Sequence, residues 1–368
     1  MKKIPFTSNA SPTLGVELEV GLIDLETLGL ASYYDRLVQH LPNDDDCFKQ
    51  EVMQCYVEVI SCVCRTVGDI DIDISRKLQR LRDGAQAAGM GLWMGATHPF
   101  SMWQDQEITN NPRYHNLVDL LQEFARRMIT FGLHVHVGVD SGDKAVMICD
   151  RILEYLPLLL AISTSSPFWE SRRTGLKSHR SKIMEGLPTA GLPPVMRNWS
   201  EYVWLVNHMI ETGFINTIRE IWWDVRPHHG FGTVEVRVCD MPSDFRDVLA
   251  ITALIQCLVQ DLSNLIDEGT YQTGTHPILV QQNKWRAARF GNQAMLIDMK
   301  TYQSVPVVEV LNQLVDRLTP VAKSLDCLPY LERVRELGSG PTSADRQLSI
   351  YDAHGNSTEI VRQMALQL

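Results

Sequence analysis

The chain lacks most of the short signatures that would name a chemistry outright. Its 368 residues contain no G-x-S-x-G elbow, no H-E-x-x-H motif, no Walker A loop and no C-x-x-C pair. An elbow-type hydrolase, an H-E-x-x-H metalloprotease and a P-loop NTPase are excluded. Positive charge is scarce: the net charge is −10. That excludes a general nucleic-acid binder, and an anionic substrate would need a local basic patch. Long apolar runs are absent too. The longest, Tyr155 to Ile162, is broken by Pro157 and is far too short to cross a bilayer. No apolar signal region follows the N-terminal methionine, so no membrane partner and a cytoplasmic location are expected. The eight cysteines are scattered and fit a reducing compartment. Cys62 and Cys64 are the one close pair, and a zinc or disulfide there is the minor alternative.

What the chain does contain is a set of strands with a polar face of unusual composition. Leu14 to Val20, Tyr56 to Ile60, Leu133 to Gly138 and Thr233 to Asp240 alternate apolar and polar residues. Strand side chains alternate between faces. Leu14, Val16, Leu18 and Val20 therefore share one face and Glu17 and Glu19 the other. The same rule pairs His134 with His136 and Glu235 with Arg237, and sets Glu58 between Val57 and Val59. A solvated sheet face ordinarily mixes Thr, Ser, Lys and Gln. This one concentrates groups that bind divalent cations and phosphate.

Helical spacing predicts helices over 69–89, 114–130 and 142–162, and then over 201–213, 214–220 and 244–267. Ser243 is the expected cap of the 244–267 helix. Two more helices fill 305–337. Residues 1–13 read as a frayed leader, 163–200 as a long functional loop, and the last 25 or so as weakly patterned. Strands and helices interleave, which could mean a parallel sheet. The two-faced strands and the missing glycine-rich phosphate loop oppose that. The expected fold class is α+β, an antiparallel sheet with helices on one face and an open basin on the other. One catalytic domain spans 1–368, with a core over 13–300 and a helical C-terminal part over 301–368.

Two glutamates two apart on a strand cannot move away from each other, and a cation would relieve their repulsion. The bland alternative, a solvated edge strand, weakens once Glu58 and Glu235 stand in matching contexts. Glu51 lies seven residues before Glu58. That odd spacing puts it on the opposite face of a regular strand, so it needs a bend, a bulge or a loop position to join the others. Gln54 shares the face of Glu58. His134 and His136 could be a zinc pair, or one could supplement a magnesium site or bond a nucleotide. Glu235 and Arg237 could form a mutual salt bridge; alternatively Glu235 serves a metal and Arg237 a phosphoryl or carboxylate group. Arg172, Arg173, Lys177, Arg180 and Lys182, with Lys284, Arg286 and Arg289, are read as loop residues. Each is an ordinary surface charge or a clamp for phosphate and carboxylate.

Thr13-Leu-Gly-Val-Glu-Leu-Glu19, Gly95-Ala-Thr-His-Pro-Phe100, Phe131-Gly-Leu-His-Val-His-Val-Gly138 and Phe231-Gly-Thr-Val-Glu-Val-Arg-Val-Cys-Asp240 resemble the carboxylate–amine ligases, or type 2 glutamate–cysteine ligases. Ser163-Thr-Ser-Ser-Pro-Phe168 and Trp285-Arg-Ala-Ala-Arg-Phe-Gly291 fit as well. The resemblance runs from about residue 10 to 300. It implies a glutamine-synthetase-like antiparallel sheet shaped as a funnel. It implies ATP-dependent amide formation through an acyl phosphate, with Mg²⁺ or Mn²⁺, from glutamate or a similar carboxylate and cysteine or another amine. The metal residues it implies are Glu17, Glu19, Glu51, Glu58, His136 and Glu235, with Arg237 and Glu58 at the catalytic centre. Thr97, His134, Arg172, Arg180, Lys284, Arg286 and Arg289 are the candidate nucleotide and substrate contacts. A homodimer is compatible with the sequence. A phosphagen-kinase-like phosphotransferase and a non-catalytic nucleotide sensor are the competing readings.

Overall fold

The computed structural model describes residues 3–42, 47–270, 276–298 and 301–365. Its centre is a seven-stranded sheet. The strands are Leu14–Ile23 (β1), Phe48–Gln50 (β2), Tyr56–Ile60 (β3), Gly91–Trp93 (β4) and Gly132–Gly138 (β5). Phe168–Trp169 (β6) with Arg172–Arg173 (β7), and Ala190–Gly191 (β8) with Trp222–Trp223 (β9), make two small separate ladders. Val225–His228 (β10) and Thr233–Asp240 (β11) complete the main sheet. Its order is β10-β11-β5-β1-β3-β2, with β4 also on β1, and every pairing in it is antiparallel.

Alternation decides which face is covered. Leu14, Val16, Leu18, Val20, Val57, Val59, Leu133, Val135 and Val137 are all buried in one apolar cluster. Helices Val67–Ala87 and Phe245–Asp267 pack on that face. Phe245–Asp267 is long and apolar enough to span a bilayer, but most of it is buried in this core. Helices Val307–Ser324 and Leu328–Ser339 pack on it in turn, and the cluster continues to Val361.

Local signals explain most helix ends. Thr66 caps Val67–Ala87 in a reciprocal box with Asp69. Asp244, not Ser243, caps Phe245–Asp267, and the Ser243 hydroxyl instead meets Ser343. The helix expected over 114–130 is Pro112–Leu121 and a short Glu123–Arg126, broken where Gln122 turns to φ 51°. The one expected over 142–162 is interrupted by a 3₁₀ turn, Ile152–Tyr155, before Leu156–Ser163. Pro157 sits in the first turn of the second piece, where its missing N–H costs nothing. Residues 214–220 form only a 3₁₀ turn, Ile218–Glu220.

Three expectations are corrected. Lys284, Arg286 and Arg289 lie on a helix, Pro277–Phe290, not in a loop. The weakly patterned C-terminus holds two helices, Ser343–His354 and Ser357–Met364. The leader is tied down: Thr7 N donates to His229 O, Asn9 N donates to Val139 O, and the Phe6 ring meets Trp199 edge-on. Cys62 and Cys64 are both free.

The two faces of β1 predict opposite responses. Leu18→Ala removes a side chain with no exposed surface and should cost about 2–5 kcal/mol of unfolding free energy. Denaturant titration checks it; a loss under about 1 kcal/mol would mean this face is not the core.

Candidate active site

The open face of the sheet carries the polar residues in rows, because antiparallel register sets partners side by side. Glu19 stands opposite Glu58, Glu17 opposite His134, and His136 opposite Glu235, which faces Arg226 on the next strand. The resulting contacts are short. His134 Nδ1 lies 3.0 Å from Glu17 Oε2 and His136 Nε2 lies 3.2 Å from Glu17 Oε1. The same Nε2 is 4.0 Å from Glu235 Oε1. His136 Nδ1 meets the Thr233 hydroxyl at 3.0 Å, which fixes the ring with Nε2 toward the acids. Glu19 accepts the Gly132 N–H.

Glu51 joins this set by a route that spacing alone does not show. β2 and β3 form a hairpin in which Lys49 faces Glu58 and Gln50 faces Val57. Glu51 follows β2 directly, so it keeps the parity of Lys49 and hence the face of Glu58. The reversal of the chain cancels the odd spacing. Gln54 does not join: its amide bonds Asp35 and its carbonyl accepts Tyr34 N–H.

The electrostatics show too much negative charge in one place. Burial pushes Glu51 up to about 8, and Glu19 and Glu17 push the same way. Burial likewise raises Glu58 far above the usual carboxylate range, with Glu17, Glu51 and Glu19 adding to it. Glu235 goes down despite its burial, because Arg226 and Arg237 flank it. Burial also opposes ionisation of Glu17, but His136 and His134 outweigh it and hold the carboxyl low. For His136, burial favours the neutral ring, yet Glu235 and Glu17 raise its pKa. His134 goes down, first by burial and then by the Arg237 charge. Two groups bring donor atoms within 4.8 Å of one another: Glu17, His136 and Glu235, and Glu17, Glu58 and His134. Carboxylates with a single imidazole suit a hard cation such as Mg²⁺ or Mn²⁺.

Two features escaped the strand reading. Arg226 grips Glu235 with both arms of its fork, Nε to Oε2 at 2.7 Å and Nη2 to Oε1 at 3.2 Å. The signal was a cross-strand partner, which one strand cannot show. Arg237 Nη1 also bonds Glu235. The second feature is a bulge. β11 advances from Val236 to Cys239 while β5 moves only from Val135 to Leu133. Asp240, which unbroken alternation would set on the core side with Val236 and Val238, is thereby set opposite Gly132, on the face of His134 and His136. It accepts from Ser165 N–H and from the Ser166 and Ser178 hydroxyls.

The other expected contacts have varied placements. Thr97 is buried and donates to Phe168 O, so its hydroxyl faces the interior. Arg172 is exposed and pairs with Glu170; Arg173 pairs with Asp352. Arg286 ties its helix to Met295 O and Ser304. Arg289 lies over the Phe290 ring. Lys284 is buried between Asp224, at 2.5 Å, and Glu185, at 2.9 Å. Asp224 O accepts the Arg237 N–H, so Lys284 braces the strand that carries Arg237. Arg180 alone of these reaches the floor, where its guanidinium fills the space over Gly132.

Glu51 gives a signed pH prediction. Its carboxyl ionises near 4.5 when free and near 8 when folded. Between those values the metal-free folded state binds more protons, so stability falls as pH rises. Glu58 acts in the same sense. Glu17 and Glu235 are lowered, so their stabilisation is complete above the free carboxylate range and adds no slope there. Chelated protein should lose Tm as pH rises to about 8, with His136, also raised, acting in the same sense, and Glu51→Gln should flatten the decline. Mg²⁺ binding at about pH 7 should release protons, read as a buffer-dependent heat by calorimetry. A heat independent of buffer would remove Glu51 and Glu58 from the cation set.

The chain is similar to known proteins both in sequence and in fold. The model of glutamate–cysteine ligase family 2 matches residues 13–363. A protein of Gloeobacter violaceus, provisionally named glutamate–cysteine ligase 2, is 40% identical over 364 residues, 98% of each chain. Among solved structures, glutamate–cysteine ligase of Francisella tularensis in complex with AMP aligns with a TM-score of 0.71 at 13% identity, covering 98% of this chain and 88% of that one. The ligase PafA, solved in complex with the ubiquitin-like protein Pup, gives 0.51 at 10% identity over 97% and 67%. The fold is thus glutamine-synthetase-like, and the chain belongs to glutamate–cysteine ligase family 2.

Proposed function

We propose that this chain is an ATP-dependent carboxylate–amine ligase, acting as one catalytic domain. It joins glutamate or a similar carboxylate to cysteine or another amine as a γ-glutamyl amide. The observation that supports it most is the row of Glu58, Glu19, Glu17, His134, His136 and Glu235 across three sheet pairings. Such a floor has no use for a protein nucleophile. It suits phosphoryl transfer, which needs positioning and charge neutralisation.

Glu17, Glu19, Glu51, Glu58, His136 and Glu235 would hold divalent cations. The raised Glu51 and Glu58 support this, since their ionised forms lack enough positive charge nearby. Bound Mg²⁺ would neutralise phosphate oxygens and position the nucleotide. The substrate carboxylate attacks the γ-phosphorus, the bond to the bridging oxygen breaks, and ADP leaves. The amine then attacks the acyl carbon, the C–O bond to phosphate breaks, and the surplus proton passes to solvent. Arg237 Nη1 bonds Glu235 and feels Glu17 and Glu19 as well, so its guanidinium is directed over the floor. There it meets charge developing on the transferred group. Glu58, at the far end of the Glu19 row, shares that centre.

Two outcomes test the reading. With ATP, Mg²⁺ and glutamate, hydroxylamine should trap an acyl phosphate as a hydroxamate, with ADP as co-product. AMP and pyrophosphate would mean adenylation instead, and phosphorylated product without amine-dependent amide would mean a phosphotransferase.

Arg237→Lys keeps the charge and loses the planar fork. It should lower kcat by roughly 10²–10³ with little change in KM for ATP. A change confined to the ATP KM would assign Arg237 to ground-state binding.

A further inference from the structure

Arginines near this floor are of two kinds, and the difference points to a substrate contact. Arg226 has its fork filled by Glu235. Arg180 does not have its fork filled. It is only 5% exposed, yet its Nε has no hydrogen-bond partner. Its Nη2 reaches Arg237 O at 3.5 Å, at the limit of a hydrogen bond. Its Nη1 stands 3.9 Å from Asp240 Oδ1, close enough to balance charge but not to bond. Asp240 is itself engaged by Ser165, Ser166 and Ser178. A guanidinium offers five donors, and leaving them unmet in a buried place is costly.

The side chain is also held in a specific place. Arg180 N–H donates to the Ser166 hydroxyl, which in turn bonds Asp240. A methyl group at position 132 would lie 2.2 Å from Arg180 Nη2, 2.9 Å from its Cζ and 3.1 Å from His134 Nε2. The guanidinium therefore occupies the space where a side chain of residue 132 would stand, beside the N–H that holds Glu19. Gly132 keeps this space free. A planar, unfilled cationic fork at the edge of this floor matches a carboxylate or a phosphoryl group, taken by two parallel hydrogen bonds, and Arg237 already serves the phosphoryl position.

We propose that Arg180 contacts the substrate and grips the carboxylate that is to be activated, beside Arg237, in a slot kept open by Gly132. The proposal rests on the ligase reading for its substrate but carries its own readout. Arg180 would orient the oxygen that attacks the γ-phosphorus and hold the other.

The test has a kinetic and a binding arm. Arg180→Ala and Gly132→Ala should each raise KM for the carboxylate substrate at least about tenfold and leave KM for ATP unchanged. The double variant should be no worse than either alone, because both remove one contact. Added guanidinium should partly restore Arg180→Ala, an effect that a structural role would not give. Arg180→Lys, with circular dichroism as a folding control, covers the case in which Arg180→Ala does not fold. In the binding arm, glutamate is titrated calorimetrically into protein holding Mg²⁺ and a non-hydrolysable ATP analogue. Wild type should bind it and Arg180→Ala should not. Unchanged glutamate binding in Arg180→Ala, or a defect confined to ATP, overturns the proposal. Arg180-dependent glutamate binding without any ADP release would support this contact and overturn the ligase reading instead.

Discussion

Repulsion among fixed carboxylates is the constraint on which this site depends. Glu19 and Glu58 are direct cross-strand neighbours, and Glu17 is two residues from Glu19 on the same face. Like charges placed opposite each other in a sheet destabilise it. Backbone ladders on both sides of β1 keep these side chains from drifting apart. The protein relieves the strain unevenly. Glu17 has two imidazoles and Glu235 has two guanidiniums, and both are lowered. Glu51 and Glu58 rise, because burial and the neighbouring carboxylates outweigh the pull of Arg237. The negative charge that the chain balances least therefore gathers at the Glu51–Glu58 end.

That asymmetry explains the rest of the architecture. A floor that repels itself needs rigid backing, and β-branched and leucine residues on the reverse face supply it against the helix Phe245–Asp267. The helices beyond it extend this backing and lie away from the open face. Lys284, placed among candidate phosphate clamps by its sequence, instead closes a buried triad with Asp224 and Glu185. A lysine held between two carboxylates inside the protein has little freedom to follow a substrate. Through Asp224 it steadies the backbone of Arg237.

How much of this was legible follows from the range of the signals. Period-two alternation is local, so the core and polar faces of β1, β3 and β5 could be read directly. Capping chemistry is local too. The Thr342–Asp345 box and Gly355 mark the helix Ser343–His354, and Pro277 with Gly291 brackets Pro277–Phe290. Both helices therefore carry local signals in their own sequence. Three features were not readable. The parity of Glu51 depends on a hairpin, the face of Asp240 on a one-residue bulge, and the role of Arg226 on a neighbouring strand. Each depends on a second strand, and a single strand's sequence carries no term for it.

The bulge connects the acidic floor to its basic rim. Without the extra residue in β11, Asp240 would point into the apolar layer beside Val236, where an unpaired carboxylate could not be tolerated. With it, Asp240 emerges opposite Gly132 and ties down Ser165, Ser166 and Ser178. Those residues carry the long segment whose next turn starts at Arg180. A single insertion in one strand thus moves an acid off the core, anchors a loop to the sheet, and delivers an arginine to the edge of the floor. Asp240, engaged by three serines, stands 3.9 Å from that arginine and balances its charge without filling its fork. The sheet thereby presents fixed negative charge and, at its edge, a cationic fork that its neighbours leave unfilled. The proposed reaction joins a phosphoryl group to a carboxylate and so calls for both kinds of charge on one rigid surface, and β11 with its bulge carries both.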